Sequence, residues 1–153
     1  MKPAARLFRV VLCPVDFSKH SSTALLYAAA LVRKSKGQLF VLYVNEPFLI
    51  AGAAAAAYDA RTLAEDTKNQ LERFVARSKR TSGLPRGSVT CLVATGDAPT
   101  EIARTARRQK CSAIVLATRG LKGPSKLLLG STTERLFHRT KIPILVIPPR
   151  TER

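Results

Sequence analysis

Two clusters of residues in this chain have the types and spacing needed to hold a phosphate ester. The later one is Ala117-Thr118-Arg119-Gly120, then nine residues, then Gly130-Ser131-Thr132. It follows an apolar run, Ser112-Ala113-Ile114-Val115-Leu116, and precedes a helical pattern opening with Ser131-Thr132-Thr133-Glu134. At such a strand-to-helix junction, backbone N–H groups point outward and the helix dipole favours an anion. Glycine there lets a ligand approach the backbone closely. The earlier cluster is Pro14-Val15-Asp16-Phe17-Ser18, at the end of the first apolar run. Asp16 is an acceptor suited to a ribose hydroxyl or an adenine amino group. Val15 and Val44, at the ends of the first two apolar runs, suit a flat base. Gly120, Gly130, Ser131 and Thr132 offer N–H groups and hydroxyls to phosphates. Arg119, Lys122 and Lys126 either add charge to that site or face solvent.

Other readings of the same residues stand beside these. Ser131 with Glu134 matches a capping box, and a capping hydroxyl can also sit beside a phosphate. Asp16 could serve only to start the helix after the first strand. His20 and His138 have no second histidine or carboxylate at ligand spacing and read as structural or surface residues. Gly120-Leu121-Lys122-Gly123 has the GXXG form of a KH module, but it follows a strand instead of joining two helices. No GxxxxGK[ST] is present, which excludes a P-loop enzyme. No general base is evident, and Asp16 stands without a second acid to hold magnesium, so turnover is at most slow ATP hydrolysis or phosphoryl transfer.

The elements that must position these clusters alternate regularly. Phe8 to Val15 reads as a buried strand. Residues 19 to 36 read as a helix with Leu25, Leu26, Ala29 and Val32 on one face, ended by Gly37. Gln38 to Val44 is a second strand. An Ala-rich stretch over 47–59, including 51–57, has no clear pattern. A helix over 59–80 carries the stripe Leu63, Thr67, Leu71, Phe74 and Val75. Val89 to Val93 is a third strand. Gly96-Asp97-Ala98-Pro99 then starts a helix, with Asp97 as N-cap and proline in the first turn. Ala113 to Ala117 is a fourth strand, 131–140 the last helix, and Ile144 to Ile147 a fifth strand. Strands apolar on both faces that alternate with helices predict an α/β fold: an open, doubly wound, five-stranded parallel sheet of Rossmann-like type, with helices on both faces. Crossover handedness and an order 3-2-1-4-5 make strands one and four neighbours. Asp16 and Ala117 then lie at their C-terminal ends, where open α/β sheets bind ligands. The whole of 1–153 reads as a single domain.

Composition narrows the class further. Hydrophobic residues make up 46% of the chain, and no run approaches the ~18 apolar residues of a membrane span. The first apolar run leads directly into Cys13-Pro14-Val15-Asp16 and not into a cleavage site, so a cytoplasmic protein is expected. Cys13, Cys91 and Cys111 are widely spaced and read as reduced core thiols, with no metal site. Lys plus Arg number 26 against 10 acids, a formal net charge of +16. That field would attract nucleotides, nucleic acid, anionic lipid or another acidic partner, or it is a solvated face that serves solubility. Nucleic acid is not the favoured partner, because no aromatic residues interleave with the basic clusters.

Taken together, these segments resemble the universal stress protein family over nearly the whole chain. Cys13 to Ser18 looks like its first-strand motif, and Gly96-Asp97-Ala98-Pro99 like its turn after strand three. Ala117 to Ser131 is similar to its nucleotide motif, which reads Gly, two residues, Gly, nine residues, Gly, then Ser or Thr. Gly120, Gly130 and Ser131 match that motif, whereas Ala117 replaces its first glycine. The closing Lys141 to Ile147 resembles the family's last strand. The resemblance implies a stress-response regulator binding an adenine nucleotide, ATP above all, with or without magnesium. The implied site comprises Pro14, Val15, Asp16, Phe17, Ser18, Val44, Leu116, Ala117, Arg119, Gly120, Gly130, Ser131 and Thr132. It also implies a homodimer through strand five, Ile142 to Ile147, a strand apolar on both faces at an open sheet edge. The family includes members that do not bind ATP, and the Ala117 position bears on which kind this is. The alternative is a nucleotide-free interaction protein acting through its basic surface.

Overall fold

A computed structural model describes residues 8–47, 60–78, 83–118 and 130–149. The order is β1 (Val10–Pro14), α1 (Lys19–Ser35), β2 (Gln38–Asn45), α2 (Ala60–Ala76), β3 (Val89–Thr95), α3 (Ala98–Arg108), β4 (Ala113–Ala117), α4 (Ser131–Phe137) and β5 (Ile144–Ile147). The strands form one parallel sheet in the order β3-β2-β1-β4-β5. The expected winding is therefore observed. The Ala-rich stretch beyond Pro47, together with Arg119, Gly120, Lys122 and Lys126, lies outside the described residues.

Period-two alternation along the strands splits the core into two layers. Val11, Cys13, Leu39, Val41 and Val115 pack against α1 through Ala24, Leu25, Ala28, Ala29 and Val32, and against α2 through Leu71 and Val75. Leu12, Leu42, Ile114 and Leu116 pack on the other side against Ile102, Ala103 and Ala106 of α3 and Leu136 of α4. The small residues of α1 let it lie close over the centre of the sheet. Burial of the thiols pushes Cys13 up to about 12, and Cys91 and Cys111 each to about 11, so all three are protonated packing groups at neutral pH.

The end of α1 departs from the sequence expectation. The left-handed residue is Lys36 (φ 52), whose N–H caps Arg33 and Val32, and not Gly37. Gly37 is needed for a different reason: a Cβ there would run into the backbone of Arg9, which enters β1 alongside. α3 ends in the same way, with Lys110 at φ 51.

Candidate functional site

The β1–β2 register runs through Pro14↔Leu42, and β4–β5 through Ala117↔Ile147. Between the two central strands, however, the pairing recorded is Val11↔Ala113 and Leu12↔Ile114. Beyond that point both strands continue, each paired to its outer neighbour. The β1–β4 ladder thus ends before the C-terminal ends of both strands, at the place where chain direction reverses.

The β1 exit is a hydrogen-bonded turn. Val15 N–H donates to Leu42 O at 2.9 Å, extending the ladder past the strand. The Asp16 Oδ1 accepts from Ser18 N–H at 3.1 Å. Ser18 Oγ accepts from Ser21 N–H at 3.1 Å, so Ser18 is the N-cap of α1. Buried Ser21 closes the turn by accepting from Asp16 N–H at 3.3 Å and donating to Ser18 O at 3.1 Å. Asp16 therefore supports the helix start without capping it, and its side chain stays exposed at the strand end. Between these residues Phe17 adopts φ 61, a left-handed conformation costly for a bulky residue. Its ring offsets that cost by stacking on Tyr43 at 4.4 Å and meeting Phe74 edge-on at 5.5 Å. Burial, then the charges of Asp16 and Glu46, raise the Tyr43 hydroxyl above the ordinary tyrosine value. Tyr43 and Glu46 were not singled out from the sequence, where Tyr43 reads only as one more residue of an apolar run and Phe74 only as part of a helical stripe.

The β4 side is held differently. Ala117 ends its strand with a negative φ, and Thr118 N–H donates to Ile147 O at 3.1 Å. No left-handed conformation calls for glycine at position 117. The helix that follows begins one residue earlier than a capping box requires. Gly130 (φ −57, ψ 150) is the N-cap, with Glu134 N–H donating to its carbonyl at 3.0 Å, and no side chain caps the helix. Ser131 is already helical, so the capping-box reading of Ser131 and Glu134 is corrected. Ser131 and Thr132 are exposed, Thr133 is buried, and a Cβ built on Gly130 meets none of the described residues within 4 Å.

A third turn, after β3, ties the neighbouring helices together. Gly96 (φ 146) donates its N–H to Asn45 O at 2.9 Å. Asp97 caps α3 as expected, accepting from Thr100 N–H at 3.3 Å and Thr100 Oγ1 at 2.6 Å. Its other oxygen takes the Arg135 guanidinium of α4 at 2.6 Å. The Thr100 hydroxyl, followed by Arg135, holds the Asp97 carboxyl below its ordinary range. Arg139 adds a bond to Thr100 Oγ1 at 3.2 Å, so α4 is latched to the start of α3.

Of the expected site residues, Pro14 to Ser18, Val44, Leu116 and Ala117 gather at the C-terminal edge of the sheet, and Gly130 to Thr132 start the adjoining α4. Arg119 and Gly120 lie outside the described residues. Val15 and Val44 do not form one wall: Val15 and Ala117 pack on the α1/α2 side, Val44 and Leu116 on the α3/α4 side.

The family model for the universal stress protein family matches residues 7–148. The chain belongs to the universal stress protein family. Universal stress protein YxiE of Bacillus subtilis is 21% identical over 147 residues, covering 92% of this chain and 99% of that protein. Among solved structures, hypothetical protein MJ0577 superposes with a TM-score of 0.73 at 22% identity, covering 95% of this chain and 99% of that one. A universal stress protein solved in complex with cAMP superposes with a TM-score of 0.65 at 18% identity, covering 92% and 96%. At these identities the structural likeness establishes the shared fold, and the order 3-2-1-4-5 is the Rossmann-like arrangement of that family.

Proposed function

We propose that this universal stress protein is a cytoplasmic stress-response regulator that binds an adenine nucleotide, ATP first among them, in the crevice between β1 and β4. The observation that carries the reading is the early end of the β1–β4 ladder, with Asp16 exposed at the exit of β1 and Gly130 starting the helix that follows β4. In this reading the base rests on the α3/α4 side, against Pro14, Val44 and Leu116, while Asp16 accepts from a ribose hydroxyl or the amino group. Val15, Phe17 and Ser18 fix the turn that presents Asp16. Gly130, Ser131 and Thr132 meet the phosphates, with Arg119 and Gly120 completing the loop. Ala117 is no obstacle, because its φ is negative and it packs toward the α1/α2 core. No group of three His, Cys, Asp or Glu side chains that could cage a metal occurs among the described residues, so accompanying magnesium would be held by phosphates and water. The protein acts as a homodimer paired through β5, and the nucleotide is a regulatory ligand. The relative solved with cAMP supports the choice of an adenine nucleotide.

Calorimetric titration with ATP tests the site. Asp16→Ala removes a hydrogen bond to a polar ligand group and should cost about 1–3 kcal/mol of binding. Gly130→Val should abolish binding while leaving the described fold intact, because a Cβ at this position meets none of the described residues within 4 Å. Unchanged affinity in both variants removes this site from consideration. Mass analysis of ligand released from freshly purified protein distinguishes ATP from a cyclic nucleotide.

A further inference from the structure

Every strand of the sheet is preceded, within three residues, by a lysine or arginine. Arg9 precedes β1, Lys36 β2, Arg86 β3, Lys110 β4 and Lys141 β5. In the spatial order β3-β2-β1-β4-β5 these form a row, Arg86, Lys36, Arg9, Lys110, Lys141, along the N-terminal edge of the sheet. All five are exposed. The helices descending to this edge add Arg33 and Lys34 from the last turn of α1 on one side, and Arg107 and Arg108 from the last turn of α3 on the other. Among the described residues no acid lies in the connections that precede the strands, and Glu72, beside Arg73 near the end of α2, is the acid on a helix end that descends to this edge. Asp16, Glu46 and Asp97 follow strands at the opposite edge, Glu101 and Glu134 start helices there, and Glu65, Asp66 and Glu72 lie on α2. The charge is thus concentrated and not a uniform coat: α2 carries three cations and three anions. Favourable dipole interactions explain cations in the last helical turns. Lysine also stands at the left-handed positions 36 and 110, although glycine there would relieve backbone strain.

We propose that this edge is a binding surface for the phosphate backbone of double-stranded nucleic acid, read without sequence preference and separate from the nucleotide crevice at the other end of the sheet. A row of five strands spans ~19 Å at the ~4.8 Å inter-strand spacing. A duplex presents about eleven phosphate charges over that length, roughly half of them toward one side. An extended row, not an enclosed pocket, fits a polymer of repeating charge better than a small anion. A membrane is disfavoured because the exposed large apolar residues among the described ones, Tyr27, Phe137 and Leu145, lie on α1, α4 and β5 and not in these connections. A single strand would need exposed aromatic platforms here, and the described edge residues supply none.

Fluorescence anisotropy with a labelled mixed-sequence duplex of about 20 base pairs tests the proposal through the salt dependence of binding. Engagement of four to five phosphates predicts a slope of log affinity against log salt of about −4. Lys36→Gly with Lys110→Gly removes two cations at positions that favour glycine. It should shallow the slope by about 2 and weaken binding about fiftyfold at 0.1 M salt. Arg9→Gln with Arg86→Gln is an independent pair expected to behave alike. Arg61→Gln with Lys68→Gln, in the first and middle turns of α2, makes the same change in net charge and should shift affinity by no more than about twofold. Absence of duplex binding at low salt overturns the proposal. So does equal loss in the α2 control, or binding to anionic vesicles without binding to the duplex.

Discussion

Phe17 provides the sharpest test of how the nucleotide-side turn is built, because two opposing effects meet in one residue. Its backbone is left-handed, at φ 61, which costs an L-residue about 1–2 kcal/mol. Its half-buried ring contacts Tyr43 and Phe74. Removing a fully buried phenylalanine ring costs about 3–5 kcal/mol, so Phe17→Ala should cost about 2 kcal/mol, two ring contacts of about 0.5–1.5 kcal/mol each accounting for much of it. Alanine retains the backbone strain. Phe17→Gly removes the same ring and the strain, at a cost of about 0.5–1 kcal/mol in unfolded-state entropy. Glycine should therefore equal alanine or exceed it by up to about 1 kcal/mol, reversing the usual order of these residues. Urea denaturation measures both, and ATP titration reports whether loosening the turn also weakens Asp16. A glycine variant less stable than the alanine variant by about 1 kcal/mol would refute the argument, because it would show that φ at 17 carries no strain.

Ala117→Gly should leave ATP affinity within about threefold of the starting protein, since no positive φ calls for glycine there; a clear loss on calorimetry would mean that the loop geometry differs. Asp97 has a folded-state value below its unfolded one, so its contribution is present above the unfolded value near pH 4 and fades as pH falls through the lower folded value. Urea midpoints at neutral pH and in acid should therefore fall further for the starting protein than for Asp97→Asn. Leu145, exposed on β5, lies on the edge assigned to the dimer, and Leu145→Lys should convert a dimer to a monomer by light scattering at moderate salt, where the charge of +16 is screened.

The winding of the sheet was legible in the sequence because buried parallel strands leave an unmistakable apolar record and crossover handedness permits few orders. The Asp97-Ala98-Pro99 helix start was legible for the same kind of reason: each residue suits one local position. Helix ends were harder. Gly37 follows α1 as a terminating glycine should, yet contact with the Arg9 backbone, a neighbour distant in sequence, is what requires it, and Lys36 takes the left-handed turn. Ser131 with Glu134 satisfies the capping-box spacing, but Gly130 reaches the cap position first. The opposite facing of Val15 and Val44 follows from register, which no single run of sequence contains. The role of Phe17 was illegible because an aromatic at positive φ contradicts local preference and is held only by tertiary contacts.

The neighbourhood of β1 and β4 also sets the order in which the molecule can be assembled. β3, β2 and β1 come from one continuous stretch, and closing Val10 onto Gln38 costs about 3 kcal/mol of chain entropy. Joining Val10 to Ser112, 102 residues away, costs about 4 kcal/mol when nothing between them is yet formed, so the second half gains by docking onto a completed first half. Until it does, β1 is an open edge with unpaired backbone groups, the kind of surface on which chains misassociate. The junction of β1 and β4 therefore cannot exist until the second half has docked, and a chain arrested before β4 would expose in its place an apolar strand in need of a partner.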